Sequence, residues 1–252
     1  MTNFNLKLSL VLPAYNESRR LPPYLASIRG YLDGKYGSGY EVIVVDDGST
    51  DDLHAAVKAR MGDWPQLRYL RHPRNLGKGA AVRSAVLASC GDMVLFADAD
   101  GAAPIGEEGR LAAAIDAGAD IAVGSRLLPD PEKRRTRPWN RRLAGRLFAA
   151  LAGRLLRLKV ADTQCGFKMF RGDVARRLFG LVRESGFLFD VEVLLLAQRM
   201  GCRCAEVGID WNEQRGGHFR LIRNGLPMIM GLWSLYLREI RGSDACDRRD
   251  ER

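Results

Sequence analysis

Asp98-Ala99-Asp100 follows the apolar run Met93–Phe96 almost directly. Two carboxylates one residue apart at a strand end suit a hard divalent cation, which would bridge them to phosphate oxygens. Asp98 and Asp100 are therefore candidate ligands for Mg2+ or Mn2+, with a solvated turn as the plainer alternative. Asp46-Asp47-Gly48-Ser49-Thr50-Asp51-Asp52 follows a second apolar run, Glu41–Val45. A carboxylate there can accept hydrogen bonds from a ribose hydroxyl or a base N–H. Ser49, Thr50 and Asp51 equally suit the start of the next helix. The two uses are compatible.

Pro13-Ala14-Tyr15-Asn16-Glu17 closes a third run. Tyr15 can stack on a base, and Glu17 can pair with a polar group. Asn16-Glu17-Ser18 has the form of a glycosylation sequon, which a site at this edge argues against. In Arg71-His72-Pro73-Arg74-Asn75-Leu76-Gly77-Lys78-Gly79, backbone N–H groups and Lys78 can meet a diphosphate. The spacing is not that of a Walker A loop, and a plain glycine turn before a helix is the alternative. His72 reads as a surface loop residue. Gly124-Ser125-Arg126 ends a further strand, where Arg126 can take a phosphate in bidentate fashion or pair with a carboxylate.

These clusters share one setting. Strand-like runs at 8–12, 41–45, 67–70, 93–96 and 120–123 alternate with helix-like segments at 19–32, 52–61, 79–89 and 105–117. That alternation predicts βαβ units, a mostly parallel sheet and helices on both faces. Ligands of such sheets bind beyond the carboxyl ends of the strands, where the polar clusters at 15–17, 46–52, 98–100 and 124–126 all fall. After Arg126 the pattern changes to a Pro- and Arg-rich loop and a basic amphipathic helix at about 139–158. In that helix an arginine stripe (Arg142, Arg146, Arg154) runs beside a leucine stripe (Leu143, Leu147, Leu151, Leu155). A polar loop, Asp162–Gly166, precedes a short strand at 167–170. Beyond it come a helix near 173–181, a mixed segment at 187–200, a strand near 203–210 and an apolar helix at about 221–240.

The charge supports a local anion site. The 252-residue chain carries a net charge of +9, and ten basic residues with no acid lie between Lys133 and Lys159. Without them the remainder is near neutral, so a dispersed nucleic-acid surface is not expected. Five scattered cysteines without zinc spacing point to a reducing compartment. Met1 to Leu12 does not read as a signal peptide. The uncharged stretch 224–237, about 20 Å long as a helix, is too short for a bilayer core of about 30 Å.

Taken in order, Leu10–Glu17, Val44–Asp51, Arg74–Gly79, Asp98–Asp100 and Gly124–Arg126 resemble the family 2 glycosyltransferases that use a nucleotide sugar and a polyprenyl phosphate. Ala97–Ala102, Asp162–Lys168 and Phe189–Glu192 are similar to the dolichyl-phosphate (polyprenyl-phosphate) β-glucosyltransferase branch. The likeness covers about residues 6–240. It implies a Rossmann-like glycosyltransferase A-type fold and transfer of glucose from UDP-glucose to a polyprenyl phosphate. Carried over by position, Pro13, Tyr15, Glu17, Asp46, Asp47, Lys78, Asp98, Ala99 and Asp100 would hold the donor. Asp98 and Asp100 would also hold the metal. Arg126, Arg141, Arg142, Gln164 and Arg215 would receive the acceptor phosphate, and Asp162 matches the candidate base. Ala102 stands where mannose-transferring relatives usually carry Gln, which favours the glucosyl branch. His218 and Arg220 lie in a loop that matches the family only loosely.

The implied layout is a catalytic domain over residues 1–212, with a donor half to about 125 and an acceptor half over 126–212. An acceptor loop and membrane-proximal amphipathic helix (213–241) and a charged tail (242–252) follow. The expected partners are a UDP-sugar, a polyprenyl-phosphate lipid and an anionic membrane surface, with the enzyme bound peripherally to the cytosolic face. The rival readings are a polyprenyl-phosphate mannosyltransferase or another family 2 glycosyltransferase with a different donor or acceptor, a nucleic-acid-binding module built on the basic segment 133–159, and a non-catalytic sugar-nucleotide sensor.

Overall fold

A computed structural model describes residues 6–128, 148, 150–212, 214 and 228–237, and the backbone of 135–136. Arg141, Arg142, Arg215, His218, Arg220 and the tail at 242–252 lie outside the described residues. The elements run β1 (Leu8–Ala14), α1 (Leu21–Tyr36), β2 (Tyr40–Asp46), α2 (Leu53–Met61), β3 (Leu67–Arg71), α3 (Lys78–Leu87), β4 (Met93–Ala97), a 3-10 turn (Ile105–Glu107), α4 (Glu108–Asp116), β5 (Ile121–Ser125) and β6 (Arg135–Thr136). Residues 150–156 form α5. Then come β7 (Phe167–Arg171), α6 (Gly172–Leu181), α7 (Phe189–Arg199), β8 (Cys204–Gly208) and β9 (Trp211–Asn212), followed by α8 at 228–237.

Seven strands form one sheet in the order β3-β2-β1-β4-β7-β5-β8. All neighbours are parallel except β7, which runs antiparallel to both β4 and β5. β1 and β2 are buried along their whole length, as strands covered on both faces must be. Pro13 is tolerated inside β1 because the pairing of β1 with β4 stops at Val11, leaving only β2 beside Pro13. α1, α2 and α4 cover one face around Leu25, Val57 and Leu111. α3, α6 and α7 cover the other around Val82, Leu178 and Val193.

A third, smaller core sits outside α7. There Ala152 and Leu156 of α5 meet Val191 and Leu195 of α7, and Met228, Leu232 and Leu235 of α8. The described parts of both amphipathic segments, 150–156 and 228–237, thus give one face to the protein. Of the leucine stripe expected in the basic helix, Leu151 is exposed and Leu155 partly buried, while Ala152 and Leu156 pack inward; Leu143 and Leu147 lie outside the described residues. α8 leaves Ile229, Met230, Trp233 and Leu237 on its outer side, with Met230 65% exposed.

The antiparallel strand carries a buried charge. Lys168 of β7 is fully buried and pairs with Asp190 in the first turn of α7. Its Nζ also donates to the Cys165 carbonyl at 2.6 Å. Burial holds the Asp190 carboxyl above its usual range, against the pull of Lys168 and Lys78. Removing one partner strands the other charge in the core. Lys168→Met is expected to lower stability by about 3–5 kcal/mol, and adding Asp190→Leu to restore most of the loss. Urea unfolding of the single and double variants measures both.

Candidate active site

The strand ends assemble as the alternating pattern predicts. Asp98 leaves the end of β4, and its N–H donates to the Gly166 carbonyl at 2.9 Å. A Cβ at Gly166 would fall 2.1 Å from the Asp98 carboxylate, so only glycine leaves room for that side chain. The loop 162–166 and the acidic pair are therefore built against each other. Asp100 accepts the Ala102 N–H at 3.0 Å, and Gly101 turns the chain with φ +71°. Burial, then the neighbouring Asp98 charge, push the Asp100 carboxyl above its ordinary range. Two crowded carboxylates in this state favour a cation between them. Their oxygens suit Mg2+ or Mn2+. Among the described residues no group of three or more His, Cys, Asp or Glu side chains could hold a metal. A cation on Asp98 and Asp100 would keep positions for substrate oxygens and water.

Glu17 faces the same pair. Its carboxylate accepts from Arg20 Nε at 2.7 Å. Burial pushes it up to about 7, with Asp100 and Asp98 adding and Arg20 opposing. Tyr15, half-buried, precedes it at the turn out of β1. That turn is pinned to the next strand end: Asn16, with φ +54°, accepts the Thr50 N–H, and its own N–H donates to Ser49 Oγ at 2.9 Å. The Ser18 N–H donates to Asp51. Ser49, Thr50 and Asp51 thus tie two loops together. Asp51 also accepts the Leu53 N–H at 3.2 Å, while the N-cap position of α2 is Asp52, without a side-chain cap.

Asp46 and Asp47 are engaged by the protein itself. Asp46 is fully buried and accepts the Ser49 N–H at 2.7 Å and the Tyr69 hydroxyl. Burial pushes its carboxyl up, but the Ser49 and Tyr69 hydrogen bonds and the Arg71 charge outweigh it, leaving it below the usual range. Asp47 accepts from His72 Nδ1, Leu76 N–H and Gly77 N–H at 2.7–2.9 Å. His72 corrects its expected surface role: its side chain is 12% exposed, and its second nitrogen meets Ser84 of α3. The N–H groups of Leu76 and Gly77, expected near a diphosphate, are spent on Asp47. Lys78, which follows them, instead reaches into the site and pairs with Asp98 at 2.6 Å.

Across the sheet, Arg126 at the end of β5 meets Asp162. Its N–H and Nε reach one carboxylate oxygen and its Nη2 the other, all at 2.8 Å. Burial pushes the Asp162 carboxyl up, but Arg126 outweighs it and the carboxyl stays below its usual range. The guanidinium lies 4.9 Å from the centre of the Trp211 ring. Glu206 of β8 holds the same loop by accepting the Ala161 and Asp162 N–H groups. Gln164 donates to the Phe187 carbonyl at 3.2 Å. Cys165 is buried, and burial pushes its thiol up to about 12. Sequence reasoning passed over the Lys168–Asp190 pair. Its signal was a lysine at the core-facing position of an otherwise apolar strand, which demands a buried carboxylate.

The sequence profile described as glycosyl transferase family 2 matches residues 9–179. A dolichyl-phosphate beta-glucosyltransferase of Drosophila melanogaster is 35% identical over 95% of the chain and 77% of that relative. The Homo sapiens protein of the same name is 32% identical over 94% and 77%. One from Trichomonas vaginalis is 37% identical over 81% of the chain, which spans 64% of that relative's length. A solved structure of glucosyl-3-phosphoglycerate synthase from Mycobacterium tuberculosis, in complex with Mn2+ and UDP-glucose, superposes with a TM-score of 0.69 at 22% identity. It covers 92% of this chain and 78% of that one. The fold is accordingly of the glycosyltransferase A type.

The raised Glu17 carboxyl has a consequence for pH. The folded chain holds that proton more tightly than the unfolded one. The associated stability is full below pH about 4.5 and is lost as pH rises through about 7. Glu17→Gln is expected to flatten this part of the stability profile. Melting temperatures of both proteins across that window measure it.

Proposed function

The chain belongs to glycosyl transferase family 2, and from that premise we propose that it transfers glucose from UDP-glucose to a polyprenyl phosphate with inversion. The observation that carries this reading is the apposition of Asp98 and Gly166, which sets the acidic pair of the donor side against the loop that supports Arg126. The names of the curated relatives support the lipid phosphate, and the Mn2+ and UDP-glucose complex of the structural neighbour supports the donor.

In this reading a lipid-phosphate oxygen attacks the anomeric carbon, the bond from that carbon to the diphosphate breaks, and UDP leaves with the electron pair. A phosphate monoester with a second pKa near 6 is mostly dianionic at neutral pH, so the nucleophile needs little help from a base. Asp162 suits that economy. Held below the usual carboxylate range and occupied by three donors, it positions Arg126 instead of taking a proton. Arg126, with Arg141, Arg142, Gln164 and Arg215 as further contacts, would receive the attacking phosphate. A divalent cation on Asp98 and Asp100 would supply Lewis acidity to the leaving diphosphate. Asp46 and Asp47 frame the nucleoside end by holding the loops at 49 and 72–77, with Pro13, Tyr15 and Glu17 beside them. Ala99 is buried, so it contributes backbone and spacing.

The lipid has to be met at a surface. Among the described residues no helix is long and apolar enough to cross a membrane. α8 offers Ile229, Met230, Trp233 and Leu237 outward while anchored by Leu232 and Leu235. Such a face suits the interface of an anionic leaflet, with the basic segment 133–159 supplying charge. We place the enzyme on the cytosolic side of that membrane.

Two measurements test the proposal. Purified protein with Mn2+, a polyprenyl phosphate and radiolabelled UDP-glucose is expected to move label into the organic phase. Asp100→Ala should lower that rate about a hundredfold, as loss of one strong charge contact does. Label from GDP-mannose alone would overturn the glucosyl assignment, and UDP binding without any transfer would favour a sensor. For the membrane face, Met230→Ser/Trp233→Ser should reduce pelleting with phosphatidylserine vesicles several-fold at an unchanged melting temperature. Undiminished pelleting would exclude α8 as the docking face.

A further inference from the structure

The Lys78 ammonium sits where a cation belongs. Its Nζ is 2.6 Å from Asp98 Oδ1, and both side chains are largely enclosed, at 21% and 25% exposed. It also lies 5.2 Å from the centre of the Phe96 ring. The lysine is delivered there by construction. Asp47 fixes Leu76 and Gly77 immediately before it, and Gly77 adopts φ +103° against Ser185, where a Cβ would fall 2.3 Å from the carbonyl oxygen. The first residue of α3 therefore has little freedom in where its side chain begins.

A divalent ion on Asp98 and this ammonium compete for one carboxylate. Two cations about 3 Å apart repel strongly in a partly enclosed site. We propose that Lys78 is the resident counter-ion of Asp98, that a metal ion must displace it to bind, and that the diphosphate of the donor receives the displaced ammonium. Metal and donor then bind as a coupled pair, each tightening the other by the same factor. The Asp190 charge also acts on Lys78, favouring its protonated form. The inference rests on the proposed role of Asp98 and Asp100 toward a metal and a diphosphate. It assigns Lys78 a second duty, guarding the acidic pair when the donor is absent.

Free Mn2+ followed by electron paramagnetic resonance tests this without turnover. The intact protein should bind Mn2+ weakly alone and at least fivefold more tightly with UDP, within the roughly 5–150-fold range of ordinary couplings. Lys78→Met should bind Mn2+ alone at least fivefold more tightly than the parent and gain less from UDP. Lys78→Arg should remain weak. Arg71→Gln, which removes a charge that faces Asp46 instead, should change Mn2+ affinity less than twofold. Equal affinity of the parent and Lys78→Met for Mn2+ alone would overturn the displacement while leaving the metal reading intact. Failure of every protein to bind Mn2+, with or without UDP, would remove that reading as well.

Discussion

Where the Asp98 N–H meets the Gly166 carbonyl, two segments of the chain with different duties are joined at 2.9 Å. One leads out of β4 into the acidic pair. The other is the approach to β7, whose loop carries Asp162 and Cys165. The absent side chain of Gly166 is filled by the Asp98 carboxylate. This close approach depends on β7 running antiparallel beside β4, with Ala97 opposite Phe167. A parallel strand would bring its other end to this edge, and the acidic pair would lack its neighbour.

Around that junction the buried charges alternate in sign. Lys78 meets Asp98, Lys168 meets Asp190, and Arg126 meets Asp162. Each pair joins different elements, so each fixes a loop or helix relative to the sheet as well as balancing charge. The cost of removing ions from water makes such pairs poor sources of net stability. Their value lies in what they hold ready: a fork-shaped cation at one wall of the site and an acidic pair at the other.

Much of this was legible in the chain. The apolar runs ending in polar clusters located β1, β2, β4 and β5, and the alternation with helices placed their ends at one edge. Asp98, Asp100 and Arg126 were singled out by type and spacing, and Asp162 by the family resemblance. Strand direction was not legible, because a short apolar strand such as Phe167–Arg171 has the same pattern either way. Nor was the division of labour between adjacent carboxylates. Asp46 and Asp47 look alike in sequence, yet one faces Ser49 and Tyr69 and the other His72, Leu76 and Gly77, partners set by tertiary packing. His72 was misplaced for the same reason. The carboxylate that draws it inward lies 25 positions away in the chain.

Cys165 stands one residue before the glycine on which the site closes. Its sulfur is sealed from solvent, and burial keeps it a thiol, since the thiolate would form only near pH 12. Electrophiles and oxidants act on thiolates they can reach, so the folded protein shields this sulfur from them. Cys90, by contrast, is exposed and precedes β4, at the opposite end of that strand from Asp98. Alkylation at Cys165 therefore requires the loop to lift away from β4, and its rate relative to Cys90 would time that local opening. The chain thus carries a chemical clock for breathing at its own junction.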